Sequence, residues 1–412
     1  MLPEGWEHIR LREGVSKIGS GVTPRGGEES YKSTGYPLIR SQNVGWGCLL
    51  LDNVSYIDLD QHNAMSGTKL KSGDVLLNIT GASIGRVATY YGEDLGANVN
   101  QHVCIIRTDG SLEPRFVEAF LLSEFGQKQV DQFQAGGNRQ GLNFEQVGSF
   151  RLPRPPLPEQ RKIVEILSTW DAAIGAQERL IANARRQKKA LMQTLLPTNA
   201  HTPKQRLPGF SGEWQEIKLR ELGRCYNGVT YAPTDVVEKG GLLILRSSNV
   251  QKGRLAFEDT VFVKPDVKTS CLTQEGDILI CVRNGSRNLI GKTARITSDA
   301  TGHAHGAFMS LFRSTEPDFA YHLFQCDAYD LQVKRNLGAT INSINTSDLH
   351  KFRFFVPPKP ERARIAQILT ASDSEIEQHE KLLFGMRTQK LALMQQLLTG
   401  KRRVQLDESE VV

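Results

Sequence analysis

The chain says nearly the same thing twice, and that duplication limits what it can fold into. PPLPEQRKIVEIL at 155–167 returns as PPKPERARIAQIL at 357–369, with 7 of 13 positions identical. KKALMQTLL at 188–196 returns as KLALMQQLL at 390–398, with 7 of 9 identical. Both pairs keep one offset of 202 residues, so the stretch between them is copied without a gap. A duplicated module folds as like units presenting like surfaces. A two-armed adaptor is therefore expected before any catalytic residue is considered.

The pattern divides the chain into a first globular domain (1–153), a long helix (154–197), a linker (198–212), a second globular domain (213–356), a second long helix (357–400) and a polar, frayed tail (401–412). The globular parts repeat more weakly. PLIRSQNV at 37–44 matches LILRSSNV at 243–250, and GDVLLNITGASIGRVA at 73–88 matches GDILICVRNGSRNLIGKTA at 276–294. Val75–Ile79 and Ile278–Val282 read as short strands after a Gly-Asp turn, while 116–123 and 319–325 read as short helices. Agreement is best in apolar stretches and fades in polar loops, as for one scaffold carrying two different readers. The expected class is α+β: two similar mixed α/β domains, two long antiparallel helices forming a coiled coil, and an internal pseudo-twofold repeat.

The helices carry a heptad seam. In the first, Ile163, Leu167, Trp170, Ile174, Gln177, Ile181, Ala184, Lys188, Leu191 and Leu195 alternate steps of 4 and 3. In the second, Ile365, Leu369, Ser372, Ile376, His379, Leu383, Met386, Lys390, Leu393 and Leu397 do the same. Such a helix, about 60 Å long, cannot cover this stripe alone. The other copy in the same chain is the nearest partner; a homodimeric coiled coil is the alternative, weakened by the Gln, Lys, Ser and His interruptions. Each helix opens with Pro-Glu (158–159 and 360–361), where Pro lacks a donor that would go unpaired and Glu complements the helix dipole.

Catalytic motifs are missing from the usual places. Gly285 to Gly291, followed by Lys292 and Thr293, has five residues between its glycines where a phosphate loop needs four. Both this stretch and its first-copy counterpart read as strand-turn-strand. No nucleophile elbow occurs. His303 and His305 lack a third ligand nearby and read as solvated or DNA-facing rather than metal-binding. Six cysteines form no C-x-x-C pair and suit reduced cytosolic thiols, so the expected location is cytoplasmic. There is no apolar leader and no run long enough to span a membrane. The net charge of +6 permits DNA binding without requiring it.

DNA readers join phosphate-binding cations to amides and guanidiniums that reach base edges. Clusters of this kind stand at matched places. In the first domain they hold Arg40, Ser41, Asn43, Ser83, Arg86, Asn100, Gln101, Asn138, Arg139 and Asn143; in the second, Arg246, Ser248, Asn249, Arg283, Asn284, Arg287, Asn342 and Asn345. Ordinary polar turns use the same residues, so the weight rests on the clusters together.

These marks carry a resemblance. The PPLPEQRKIVEIL helix start and its second copy, the ALMQ-x-LL helix end before Thr399-Gly400-Lys401, and LPGFSGEW at 207–214 resemble the specificity subunit of type I restriction-modification systems. The resemblance implies two target-recognition domains, each reading one half of a split, asymmetric double-stranded DNA sequence, with helices that set the gap. It implies a chain with no catalytic residue and no cofactor of its own. Its expected partners are two methyltransferase subunits carrying S-adenosylmethionine and two motor-nuclease subunits using ATP and Mg. The second copy departs at Lys359, Arg362 and Ala363, which implies that the two partner sites differ slightly. A coiled-coil protein scaffold without DNA readout is the competing expectation.

Overall fold

A computed structural model describes residues 2–24, 26–92, 96–134, 141–197, 206–238, 240–264, 272–337 and 342–406. The chain forms two compact units that do not follow its linear order: Met1–Glu178 with Leu382–Val412, and Arg179–Lys381. Each unit therefore joins one globular domain to half of each long helix.

The domains share one topology. In the first unit, an antiparallel sheet runs in the order Val15–Ser20, Val103–Thr108, Asp74–Asn78 and Val87–Tyr90. In the second unit, Gly223–Asn227, Met309–Ser314, Ile278–Cys281 and Thr293–Arg295 take the same order. The strand after the Gly-Asp turn is buried on both faces, which explains its unbroken apolar run. Val75 and Leu77 pack with Val117, Phe120 and Leu121 of helix Pro114–Leu122, while Leu76 packs with Ile39, Val44 and Ile105 on the opposite face. Each such side chain removed from water contributes about 1.5–3 kcal/mol.

The Gly-Asp turn also builds a lock that the sequence pattern did not disclose. Gly73 (φ 90°) and Gly276 (φ 87°) take the left-handed conformation. The following Asp74 accepts from the Lys71 amide at 2.7 Å and takes Arg107 in a bidentate pair at 2.7 and 2.7 Å. Asp277 does the same with the Gln274 amide at 2.8 Å and Arg313 at 2.8 and 2.7 Å. Both carboxylates are buried, so the guanidinium is what makes their burial tolerable.

The long helices are Leu157–Leu195 and Lys359–Leu398. Ile163, Leu167, Ile181, Leu195, Ile365, Leu369, Ile376 and Leu397 are buried, and Trp170, Ile174, Leu191, Leu383 and Leu393 half-buried. The partner is the other copy in the same chain. In the first unit, Asp171 pairs with Lys390 and Glu178 with Arg387, so one number rises as the other falls and the helices run antiparallel. In the second unit, Asp373 pairs with Lys188 at 2.6 Å and Glu380 with Arg185 at 2.6 Å. These are the same two ion pairs, carried over by the repeat.

The expectation of a frayed tail needs correction, and the end of the linker is held in the same manner. The end of the linker is anchored: Arg206 clamps the buried Glu361 at 2.8–3.2 Å, and Leu207 packs on the core. The described part of the tail is anchored too, with Arg403 on buried Glu159 and Val404 beside the cluster that holds Trp6 and Leu397. The first-turn glutamates thus hold neighbouring chain as well as complementing the helix ends. The departure at position 362 faces the chain's own domain: Arg362 pairs with Glu316 at 3.2 Å, while its counterpart Gln160 accepts from the Glu113 amide at 2.8 Å. The other two departures, Lys359 and Ala363, are exposed.

Candidate nucleic-acid interface

The polar clusters are far apart in sequence, yet backbone hydrogen bonds bring them to one edge of each domain. In the first unit, the turn Gly81–Ser83 joins the two strands after the Gly-Asp lock. The Ile79 amide donates to the His102 carbonyl at 3.0 Å, and the Leu142 amide donates to the Ile79 carbonyl at 2.8 Å. Asn78 Nδ2 donates to the Ser41 carbonyl at 2.8 Å. Segments around 41, 80, 101 and 142 therefore meet.

The second unit repeats the meeting point. The Val282 and Arg283 amides donate to the Phe308 carbonyl at 3.0 and 3.1 Å, the Ile344 amide donates to the Val282 carbonyl at 2.8 Å, and Asn284 Nδ2 donates to Ser247 Oγ at 3.0 Å. The same scaffold thus gathers the same four segments. What it presents differs. Thr80 Oγ1 lies 2.6 Å from His102 Nδ1 in the first unit, whereas at the matching positions Arg283 lies over the exposed Phe308 ring, 5.8 Å from its centroid.

The candidate side chains fall into distinct groups. Gln101, Arg283, Arg287 and Asn342 are exposed at this edge, and Ser41, Ser83, Arg86, Ser248 and Asn284 half-buried. Arg40 is half-buried with its guanidinium over Tyr31 at 4.9 Å, and Arg246 is ion-paired with Asp259 at 2.7 Å. Asn143 is exposed and caps helix Phe144–Ser149, accepting from the Gln146 amide at 2.8 Å; exposed Asn345 stands at the same place before Thr346–Leu349, but its side chain makes no cap hydrogen bond. Asn138 and Arg139 lie outside the described residues.

Three asparagines do not have the reach expected of them. Asn43 is 2 % exposed, accepting from the Arg40 amide at 3.1 Å and donating to the Leu50 carbonyl at 2.8 Å. Asn249 is 0 % exposed and does the same with the Arg246 amide at 2.8 Å and the Ala256 carbonyl at 2.9 Å. Asn100 is buried and accepts from the His102 amide at 3.1 Å. Their amides shape the loops from within. The histidine pair is internal as well: His305 is buried, 3.1 Å from the Tyr226 carbonyl, with its protonation disfavoured by burial, and His303 Nδ1 accepts from the Leu243 amide at 3.3 Å. Among the described residues, no three His, Cys, Asp or Glu gather where they could hold a metal ion. None of the described helices is long and apolar enough to cross a membrane.

Phe308 was not singled out by the sequence. The available signal was its place just before the strand Met309–Ser314, where the other copy has His102 before Val103–Thr108.

Comparison with known proteins follows the repeat. The family model described as the type I restriction modification DNA specificity domain matches residues 3–184 and again 211–383. The type I restriction enzyme MjaVIII specificity subunit of Methanocaldococcus jannaschii is 26% identical over 63% of this chain and 63% of its own length. The type I restriction enzyme StySPI specificity subunit of Salmonella potsdam is 21% identical over 98% of this chain and 90% of its own. A solved chain from work on complex assembly and conformational transition of the type I restriction-modification system shares the fold, with a TM-score of 0.61 at 20% identity over 98% of this chain and 100% of that one.

Proposed function

The chain belongs to the type I restriction modification DNA specificity family, and from that premise we propose that each unit reads one half of a split, asymmetric double-stranded DNA target. The observation that carries this reading is the pair of matched edges. One backbone arrangement gathers four loop segments in each unit, yet Thr80 and His102 in the first stand where Arg283 and Phe308 stand in the second. Hydroxyl and imidazole suit hydrogen bonding to base edges. A guanidinium suits guanine O6 and N7, and an exposed ring suits apolar contact with a thymine methyl. Two scaffolds with one geometry and different chemistry read two different half-sites.

On this reading the chain itself catalyses nothing. It docks two adenine methyltransferase subunits, which carry S-adenosylmethionine, and two motor-nuclease subunits, which use ATP and Mg. The DNA edge is set by Gln101, Arg283, Arg287 and Asn342, with Arg40, Arg86 and Arg246 behind them. Asn43, Asn100 and Asn249 act by holding the loops.

The test is genome-wide adenine methylation in a host expressing this chain with its methyltransferase subunit, compared with the methyltransferase alone. A new bipartite motif that depends on this chain is the expected result. Replacing residues 1–150 with another such domain should change one half of that motif. Change in both halves, or in neither, would sink the assignment. Arg283→Ala should relax one position of one half-site and cost ~1–3 kcal/mol there. Uniform weakening on all sequences would mark Arg283 as a phosphate contact instead.

A further inference from the structure

In the second unit, one buried asparagine closes a loop around an ion pair. Asn249 accepts from the Arg246 amide at 2.8 Å and donates from Nδ2 to the Ala256 and Asp259 carbonyls, both at 2.9 Å. One amide thereby fixes the backbones of Arg246 and Asp259, and their side chains pair at 2.7 Å through Nη2 and Oδ1. Between them the hairpin of Val250–Gln251 and Arg254–Leu255 is braced on the second long helix, where Arg254 donates to Glu380 at 2.6 Å. The Arg246 stem passes Gly306, where a Cβ would stand 3.9 Å from its Cγ, and Ser247 Oγ accepts from Asn284 at 3.0 Å. Arg246 therefore stands beside the segments that carry Arg283 and Phe308.

The first unit keeps the asparagine and changes what it holds. Asn43 bonds to Arg40 and Leu50 as Asn249 does to Arg246 and Ala256, and the same spacing puts Asn53 where Asp259 stands. The Arg40 guanidinium lies over Tyr31 instead. Cys48 takes the place of Arg254, so the helix brace is also gone. The domain–helix junction nearby differs as well, with Glu118 and Ala119 standing for Tyr321 and His322. Lys188 and Arg295 lie over the Tyr321 ring, whereas Glu118 lines a cleft of about 380 Å³ together with Arg115 and Lys390. The braced loop with its Arg–Asp pair is thus particular to the second unit.

We infer that Arg246 and Asp259 together read one G·C pair of the half-site taken by the second unit, Arg246 on the guanine and Asp259 on the cytosine. The inference rests on the reading of the preceding subsection. Arg246 Nε is buried, so the guanidinium meets a ligand by its Nη end. Among the described residues, Arg246 Nη1 and Asp259 Oδ2 have no hydrogen-bond partner. The pair therefore offers two donors followed by an acceptor. Across the major groove, G·C presents guanine N7 and O6 as acceptors and then cytosine N4 as donor, which is the complement in the same order. An A·T pair presents acceptor, donor, acceptor, and leaves atoms mismatched. An arginine alone suits phosphate as well as guanine, but a carboxylate beside it repels phosphate and favours the base edge. Arg246 is 32% and Asp259 62% exposed, so both reach a ligand from a surface position.

The test uses the full chain with its methyltransferase subunit, and genome-wide adenine methylation as the readout. The half-site of the second unit is the half that persists when residues 1–150 are exchanged. It should contain a fixed G·C pair. Arg246→Ala and Asp259→Ala should each relax that same pair, lowering discrimination there about 10-fold or more, and leave the other positions of the motif unchanged. Unchanged melting temperatures exclude misfolding. Relaxation at two different pairs, an unaltered motif in either variant, or a relaxed pair other than G·C would overturn the inference. So would an even loss of methylation at all sites, which marks a phosphate contact. A wild-type chain that produces no bipartite motif would overturn the underlying reading, and this inference with it.

Discussion

Asp74 and Asp277 do the same work in the two units, whereas Glu118 and Tyr321, at equally matched positions, do not. The aspartates are buried carboxylates, each held by one guanidinium and one backbone amide, and a buried charge left without such partners is costly. Glu118 and Tyr321 lie where the domain meets the helices, and there either a filled polar network or an open cleft satisfies the local chemistry. Duplication therefore keeps what burial dictates and lets the rest diverge. The seam ion pairs fall between these cases, identical in partners and different in surroundings.

The largest expected effect comes from the seam. Ile376→Asp puts a carboxylate at a buried position of the second unit and should cost about 4 kcal/mol. Ile174→Asp, at the matching half-buried position of the first unit, should cost about half as much. Denaturant titration with a probe in each unit measures both; equal costs would show that the two half-seams are buried alike, which breaks the comparison.

Acid sharpens it further. Burial, with Lys188 and Arg295 nearby, pushes His322 down to about 3, and burial also lowers His305 and His350, all in the second unit. Between that value and the unfolded value near 6.5, the unfolded chain binds more protons, so stability falls as pH drops through this window. For His322 alone the loss should reach about 2 kcal/mol at pH 5. The melting transition of the second unit should carry this slope, and His322→Ala, which copies Ala119, should flatten it. A slope that survives the substitution assigns the acid sensitivity elsewhere.

The smallest effect concerns the shared ion pair. Lys188 is 11% exposed and Lys390 24%. Lys188→Met should cost about 1–2 kcal/mol because Asp373 would be left among Tyr321 and His322, and Lys390→Met below about 1 kcal/mol because Asp171 faces water. Double-mutant cycles with Asp373→Asn and Asp171→Asn would measure each coupling, and equal couplings would mean that the open cleft does not screen its pair.

Much of this architecture was legible in the residues. The strict offset disclosed the duplication, the alternating steps of 4 and 3 disclosed the seam from Ile163 to Leu195 and from Ile365 to Leu397, and the apolar run after the Gly-Asp turn disclosed the central strand. The candidate interface was half legible. Its four segments were named, but Asn43, Asn100 and Asn249 looked like readers and are loop braces, while Phe308 looked like nothing. An asparagine in a polar turn has the same identity whether its amide faces water or closes the loop behind it. Only the number of carbonyls and amides within reach decides, and these come from residues such as Leu50 and Ala256.

The sequence by itself determined that there are two like units, that each pairs a mixed domain with long helices, and where the helices carry their apolar stripe, because periodicity and repetition are local properties of a chain. The tertiary structure alone decided which half of each helix belongs with which domain, which guanidinium neutralises Asp74, Asp277, Glu159 and Glu361, and why one domain–helix junction is sealed and the other open. Those outcomes depend on groups 33 to 244 residues apart arriving within hydrogen-bonding distance. Burial then fixes which of them must be paired, and no pattern along the chain encodes that distance.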